Sequence, residues 1–259
     1  MRSLLLLILS LLALRAEGLI AVWGDTQAHP RVQRVLARSM AAREPDLVIH
    51  TGDLSASGSQ AGYDGFFDLS APLAGIPLRP ARGNHDGLEE IFTGVFGLER
   101  SYYSLAQDSL HLIFLDSNLD LLPGSAQYNW LVEELNSSPS LPSIIVIHHG
   151  PFSSGYHGGH GDLQLFLPAL CAKYSVSAVL SGHDHNYERL SHAQTAYIVS
   201  GGGGGHKRPI FRPRDPRSQY FLARYHYLIL ERQGTLLRLS AHDLRGRVFD
   251  QVELPLHKD

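Results

Sequence analysis

One pattern restricts the fold of this chain more than any other. A short apolar run is closed abruptly by a polar turn rich in glycine, acid, amide or imidazole side chains, and the pattern recurs five times. Leu19 to Trp23 ends at Gly24-Asp25, and Leu47 to His50 ends at Thr51-Gly52-Asp53. Ile76 to Arg79 leads into Arg82-Gly83-Asn84-His85-Asp86, and Ser143 to Ile147 into His148-His149-Gly150-Pro151. Ser177 to Leu180 delivers Gly182-His183-Asp184-His185-Asn186-Tyr187-Glu188-Arg189. Unbroken apolar runs of this length suit strands covered on both faces.

Helical periodicity fills the intervals. Val32, Val35, Leu36, Ser39 and Met40 share one helical face, with Pro30 in the first turn and Pro45 as a stop. Tyr63, Phe66 and Phe67 predict a second helix, and Tyr128, Leu131, Val132 and Leu135 a third, closed by Ser138-Pro139. Alternation of strand, polar turn and helix makes this an α/β chain with a parallel sheet, which presents side chains at the carboxyl ends of its strands. Leu105 and His111 to Leu115 predict an antiparallel pair around Gln107-Asp108-Ser109. After Gly182 the character changes: Thr195 to Val199, Tyr225 to Leu230, Thr235 to Ser240 and Arg247 to Leu254 predict antiparallel strands. Between them, Gly201 to Gly205 and the basic stretch Lys207, Arg208, Arg212, Arg214, Arg217 read as a flexible, solvated loop. Nothing there matches the lysine and hydroxyl ending of a phosphate-binding P-loop.

Residues 1 to 18 carry Arg2, an apolar run from Leu4 to Leu14 and then Ala16-Glu17-Gly18, the pattern of a secretory signal cleaved after Gly18. The apolar run is too short to span about 30 Å of hydrocarbon. A single domain over 19–259, exported to the periplasm or the extracellular space, is therefore expected, with no membrane partner for the mature chain. The net charge of −3 gives no sign of a nucleic-acid partner. Cys171 is the only cysteine, so no intramolecular disulfide can form, and its apolar neighbours suggest a buried, inert thiol.

Five strand ends offer candidate ligands: Asp25 and Gln27, Asp53, Asn84 with His85, His148, and His183 with His185. Taken singly, each has an ordinary explanation, a carboxylate after a strand or an Asn-His turn. Together, at the same end of one sheet, carboxylate, imidazole and amide oxygen suit two first-row metal ions. The absence of clustered thiolates argues against a structural zinc site or an iron–sulfur cluster. One carboxylate can bridge both ions, and Asp53 is the natural choice.

The ordered set G-D-x-Q, G-D, G-N-H-D, H-x-G-P and G-H-x-H, from Gly24 to His185, resembles the calcineurin-like metallophosphoesterase superfamily. GHDHNYER, Gly52-Asp53-Leu54-Ser55 and Phe152-Ser153 are most similar to purple acid phosphatases and their small bacterial relatives. The resemblance implies a four-layer α/β/β/α sandwich of two mixed sheets flanked by helices, with a dinuclear site at one edge. It also implies a first metal held by Asp25, Asp53 and His185, with Gln27 as a possible fourth ligand, and a second held by Asp53, Asn84, His148 and His183. The spacing to Phe152 favours His148 over His149. His85, oriented by Asp86, is then a catalytic group outside the ligand set, stabilising charge or protonating the leaving oxygen.

Two departures matter. Purple acid phosphatases carry a metal-bound tyrosine three residues after the bridging aspartate, where this chain has Ala56, and their D-x-H histidine is Gln27 here. Two divalent ions, zinc, manganese or iron, are therefore expected in place of a tightly held ferric ion. The expected function is an exported phosphomonoesterase for small phosphoesters, using a hydroxide held by the two metals. A phosphodiesterase for cyclic nucleotides or glycerophosphodiesters, or a silent relative that binds metal or a phosphoprotein, is the alternative. The loop Ser153 to His160 reads either as a pocket wall, with Tyr156 or His157 touching substrate, or as a mobile segment.

Overall fold

Side-chain alternation within the apolar runs decides the layering. In β1 (Leu19–Trp23), Ile20 and Val22 enter a core between two sheets, whereas Ala21 and Trp23 face a layer of helices. β2 (Leu47–His50) divides likewise, Leu47 and Ile49 one way and Val48 the other. In β5 (Leu110–Leu115) and β6 (Ser143–Ile147), Leu112, Phe114, Ile144 and Val146 meet that central core, while Ile113, Leu115, Ile145 and Ile147 meet the opposite helices. Because each face of these strands packs on something apolar, the period of two is invisible as polarity and the runs are continuous.

The chain is described here from a computed structural model covering residues 18–138, 140–210 and 212–256. The expected leader lies outside the described residues apart from Gly18. The remaining strands are β3 (Leu78–Pro80), β4 (Tyr103–Gln107), β7 (Ala178–Ser181), β8 (Tyr187–His192), β9 (Thr195–Ser200), β10 (Ser218–Leu222), β11 (His226–Gln233), β12 (Leu236–Asp243) and β13 (Val248–Pro255). One sheet has the order β13-β12-β11-β1-β2-β3 and the other β10-β8-β9-β7-β6-β5-β4. Each is mixed: β1-β2-β3 and β5-β6-β7-β9 are parallel, and the rest pair antiparallel.

Helices α1 (Pro30–Ala41), α2 (Gln60–Leu69) and α3 (Glu89–Phe96) cover the first sheet through Leu36, Met40, Tyr63, Phe66 and Phe92. Helices α4 (Ala126–Ser137) and α5 (Gly161–Lys173) cover the second through Leu131, Leu135, Leu163, Leu167 and Cys171. The four-layer sandwich of two mixed sheets is thus present. Ser59 and Ser125 cap α2 and α4 by accepting the N–H of Gly62 and Tyr128. Among the described residues, no helix is long and apolar enough to cross a membrane.

The single sheet assumed for all five strand ends needs correction. β1, β2 and β3 belong to one sheet and β6 and β7 to the other, so the candidate ligands approach one another from two sheets. The sequence also hides α3, α5, β8 and β10. α5 is apolar over most of its circumference and holds Pro168 in its interior, which blurs the helical period. β8 begins with the polar Tyr187-Glu188-Arg189, buried against specific partners.

Candidate metal centre

Parallel pairing of β1 with β2 puts Trp23 beside His50, so the turns that follow leave the sheet together. They are zipped by backbone bonds from Thr51 N to Trp23 O, Asp25 N to Gly52 O and Thr26 N to Asp53 O, at 2.9–3.0 Å. Asp25 and Asp53 both adopt φ of 58°, and His183 adopts 68°. Non-glycine residues rarely occupy this left-handed region, and such strain concentrates where a structure over-determines a functional geometry. His50, given no role by the sequence, holds the underside: its Nδ1 accepts the Gly52 N–H at 3.1 Å, and Thr26 Oγ1 lies 3.3 Å from its Nε2.

The Asp53 turn is further fixed by Asp86. Its fully buried carboxylate accepts the N–H groups of Gly83, Asp53 and Leu54 at 2.8 Å and of Ser55 at 3.4 Å. Burial and the nearby Asp53 charge push its pKa up to about 7, against four donors that favour the anion. This corrects the expected pairing of Asp86 with His85: the Asp86 oxygens serve backbone donors. The half-exposed His85 ring instead has its Nε2 4.0 Å from Asp53 Oδ2, while the His85 backbone N–H donates to Asp53 Oδ1 at 2.8 Å.

From the second sheet, β6 brings His148, completely buried, with Nε2 3.5 Å from Asp53 Oδ1 and 3.1 Å from Asn84 Oδ1. Its Nδ1 donates to the Thr51 carbonyl at 2.9 Å. β7 brings the His183-to-His185 turn. The His183 N–H is shared between both Asp25 oxygens at 3.1 Å, and His185 Nε2 lies 3.5 Å from Asp25 Oδ1. His185 Nδ1 donates to the His206 carbonyl at 2.6 Å, a role the sequence gave no reason to assign to His206. A carbonyl has no proton to give, so both imidazoles are protonated at Nδ1 and aim Nε2 at the carboxylates.

All nine candidates therefore meet at one end of the sandwich, seven at its centre. Ligand atoms of Asp25, Asp53 and His148 lie within 4.8 Å of one another, as do those of His148, His149 and His183. His149, the neighbour of His148, has other partners. Its Nδ1 pairs with Ser117 Oγ at 2.7 Å, and its ring lies 4.2 Å from that of His183, tilted by 59°. Of the two, His148 is the one placed against both Asp53 and Asn84.

Charge at the centre is unbalanced in a way that suits cations. Burial pushes the Asp25 carboxyl up, but its bond to His185 and the surrounding imidazoles outweigh this and leave it below the ordinary value. Burial raises Asp53, and the adjacent Asp25 charge adds to it. Burial depresses His185, yet the Asp25 bond and charge lift it to about 9. Two carboxylates this close demand positive charge, an imidazolium or a metal. Gln27 gives independent support: its Nε2 donates to Asp53 Oδ2 at 3.1 Å, while its buried Oε1 has no partner among the described residues. An orphaned amide oxygen beside two carboxylates fits a coordinating role.

The glycine run needs the largest correction. Gly201 to Gly205 is buried and backs directly onto the centre. Gly203 N donates to Gly24 O at 2.8 Å and Gly205 N to Asp25 O at 2.6 Å. A Cβ at Gly205 would stand 2.6 Å from the His185 ring, so close backbone approach, and not flexibility, requires glycine there. The loop from Ser153 to His160 is likewise anchored. Asp184 accepts Ser153 Oγ and the N–H groups of His157 and Gly158, Glu188 accepts Ser154, and the His157 ring lies 4.2 Å from that of His183. It is a wall of the site.

Residues 18–187 match the family model described as calcineurin-like phosphoesterase. Probable purple acid phosphatase 20 of Arabidopsis thaliana is 31% identical over 214 residues, 69% of this chain and 50% of that protein. The 3',5'-cyclic adenosine monophosphate phosphodiesterase CpdA of Pseudomonas aeruginosa is 33% identical over 193 residues, 71% of this chain and 70% of that protein. Purple acid phosphatase PPD1 from yellow lupin superposes with a TM-score of 0.80 at 19% identity, over 92% of this chain and 53% of that chain, a likeness of fold alone. The chain spans about half the length of the purple acid phosphatases it matches.

Proposed function

The chain belongs to the calcineurin-like phosphoesterase family, and on that premise we propose that it is an exported, metal-dependent phosphomonoesterase acting on small phosphoesters. The observation that carries this reading is the convergence on Asp53, with Gln27 at 3.1 Å from one oxygen and His148 at 3.5 Å from the other. Asp25, Asp53, His185 and the Gln27 amide oxygen would hold one ion, and Asp53, Asn84, His148 and His183 would hold a second. Two divalent ions of zinc, manganese or iron supply, when bound, the charge that polarises phosphoryl oxygens and acidifies the attacking water.

The chain's own groups do the rest. The Thr51 and His206 carbonyls lock His148 and His185 in the tautomer that offers Nε2. Asp86 fixes the Asp53 turn through its backbone and acts as a positioning residue. His85, exposed beside Asp53, donates a proton to the leaving oxygen. The anchored wall from Ser153 to His160 sets the His157 ring against that of His183 beside the centre.

Stripped protein reloaded with each ion in turn and assayed on p-nitrophenyl phosphate, its bis ester and 3',5'-cyclic AMP tests this reading. Faster turnover of the monoester is expected. A second reading, a cyclic-nucleotide diesterase, draws on the 33% identical relative named for that activity, and faster turnover of either diester would favour it. Fully metallated protein that hydrolysed none of them would leave a silent binder. Export is tested by sequencing the amino terminus of the protein recovered outside the cytoplasm, with a start at Leu19 expected.

A further inference from the structure

The basic stretch after the glycine run leaves the metal centre directly. The His206 carbonyl accepts from His185, and two residues of chain reach at most about 7 Å, so Lys207 and Arg208 emerge at the rim of the site. Of the five cations in this stretch, two are committed. Arg217 pairs with Asp215 at 2.7 Å, and Arg212 donates to the Tyr156 carbonyl at 3.2 Å.

The other three hold no carboxylate among the described residues and lie exposed over aromatic faces. Lys207 Nζ is 4.3 Å from the Tyr225 ring centre, Arg208 Cζ is 5.1 Å from that of Tyr156, and Arg214 Cζ is 5.1 Å from that of Phe221. Contact between rings ties Arg208 to the metal centre: Tyr156 lies 5.0 Å from His157, and His157 lies 4.2 Å from His183. An aromatic face orients a guanidinium without neutralising it, leaving its N–H fork available to an anion. The chain as a whole carries a net charge of −3, so this unpaired positive charge is local to the rim.

We propose that Lys207 and Arg208 form a subsite for a second anionic group, so that the preferred substrate is a phosphoester whose organic part carries a further phosphate or carboxylate. This rests on the phosphoesterase reading of the adjacent centre. The scissile phosphate occupies the region of Asp53, and the second anion is read across the Tyr156 wall. Charge-assisted bonds from one or two cations correspond to a preference of about tenfold or more, which weakens at high salt.

Matched substrates test it: propyl phosphate, propane-1,3-diyl bisphosphate and 3-carboxypropyl phosphate, with kcat/KM compared for the metal-loaded protein. The doubly anionic pair should exceed propyl phosphate about tenfold, and their ranking identifies phosphate or carboxylate as the second group. In the Lys207→Gln/Arg208→Gln variant that ratio should fall towards one, whereas Arg34→Gln, which removes a charge from the exposed face of α1, should retain it. A wild-type ratio near one, or a ratio that survives the double substitution, overturns the proposal. Calorimetric binding of propylphosphonate and propane-1,3-diylbisphosphonate reads the same preference without turnover. If that preference holds and collapses in the double variant while no ester is hydrolysed, the phosphoesterase reading fails and the subsite stands.

Discussion

Asp86 accepts the backbone N–H of Asp53 at 2.8 Å, and with it the N–H groups of Gly83 and Leu54 at the same distance. The central carboxylate of the site is thus held by a second carboxylate that is itself fully buried. In Asp86→Asn one of these donors would face an amide N–H₂. Loss of about 1–3 kcal/mol of stability is expected from the unsatisfied pair, with metal affinity lowered by about 10–100-fold. Urea melts and metal titration of the variant measure both.

His85 is separable from that scaffold. Its ring is half exposed and touches Asp53 only at 4.0 Å. His85→Ala should lower kcat by about 10²–10⁴-fold with metal content near that of the wild type. Metal lost in parallel with activity would make His85 a ligand instead.

Iron-loaded, oxidised protein should show no strong visible charge-transfer band. Ala56 has no phenol, and Tyr63, which follows it on α2, sends its hydroxyl to the Asp86 carbonyl at 2.7 Å. An intense band in the visible spectrum would require a tyrosinate ligand that these contacts do not provide.

How much of this was legible in the sequence depends on how locally each feature is encoded. Asp25, Asp53, Asn84, His148, His183 and His185 follow strands whose apolar runs are plain to read, so the candidate ligands and the α/β alternation emerge directly, whereas the division into two sheets does not. Asp86 was visible as a residue but not in its role, because its partners lie 31 to 33 positions away in sequence, save Gly83. Gly201 to Gly205 was misread because glycine signals both flexibility and close approach, and only the neighbouring His185 and Gly24 decide between them.

That correction predicts a stability effect. A Cβ at Gly202 would collide with the fully buried His226 ring and stand 2.7 Å from the Arg224 carbonyl. Gly202→Ala should cost about 1–3 kcal/mol, read as a lowered urea midpoint at unchanged slope. A flexible loop would tolerate it without loss.

Acid should destabilise the fold through its buried neutral histidines. Burial lowers His226 to about 4 and His50 to about 3. A folded pKa below the unfolded one means the stabilising contribution is present above about 6.5 and is lost as pH falls towards 4. Each histidine adds a slope approaching about 1.4 kcal/mol per pH unit across that window. Asp86, pushed up to about 7, works the other way over the same window, so the histidine contribution is read by difference: between pH 7 and pH 5 the wild type should lose more stability, or gain less, than His226→Gln.

Metal stoichiometry by elemental mass spectrometry, on wild type and on His183→Ala, His185→Ala and Asp53→Ala, bears most directly on the shared centre. Two ions per chain are expected in the wild type, one in each histidine variant, and fewer than one in Asp53→Ala, because its carboxylate serves both. A wild type that binds a single ion, or an Asp53→Ala variant that keeps two, would contradict the dinuclear centre.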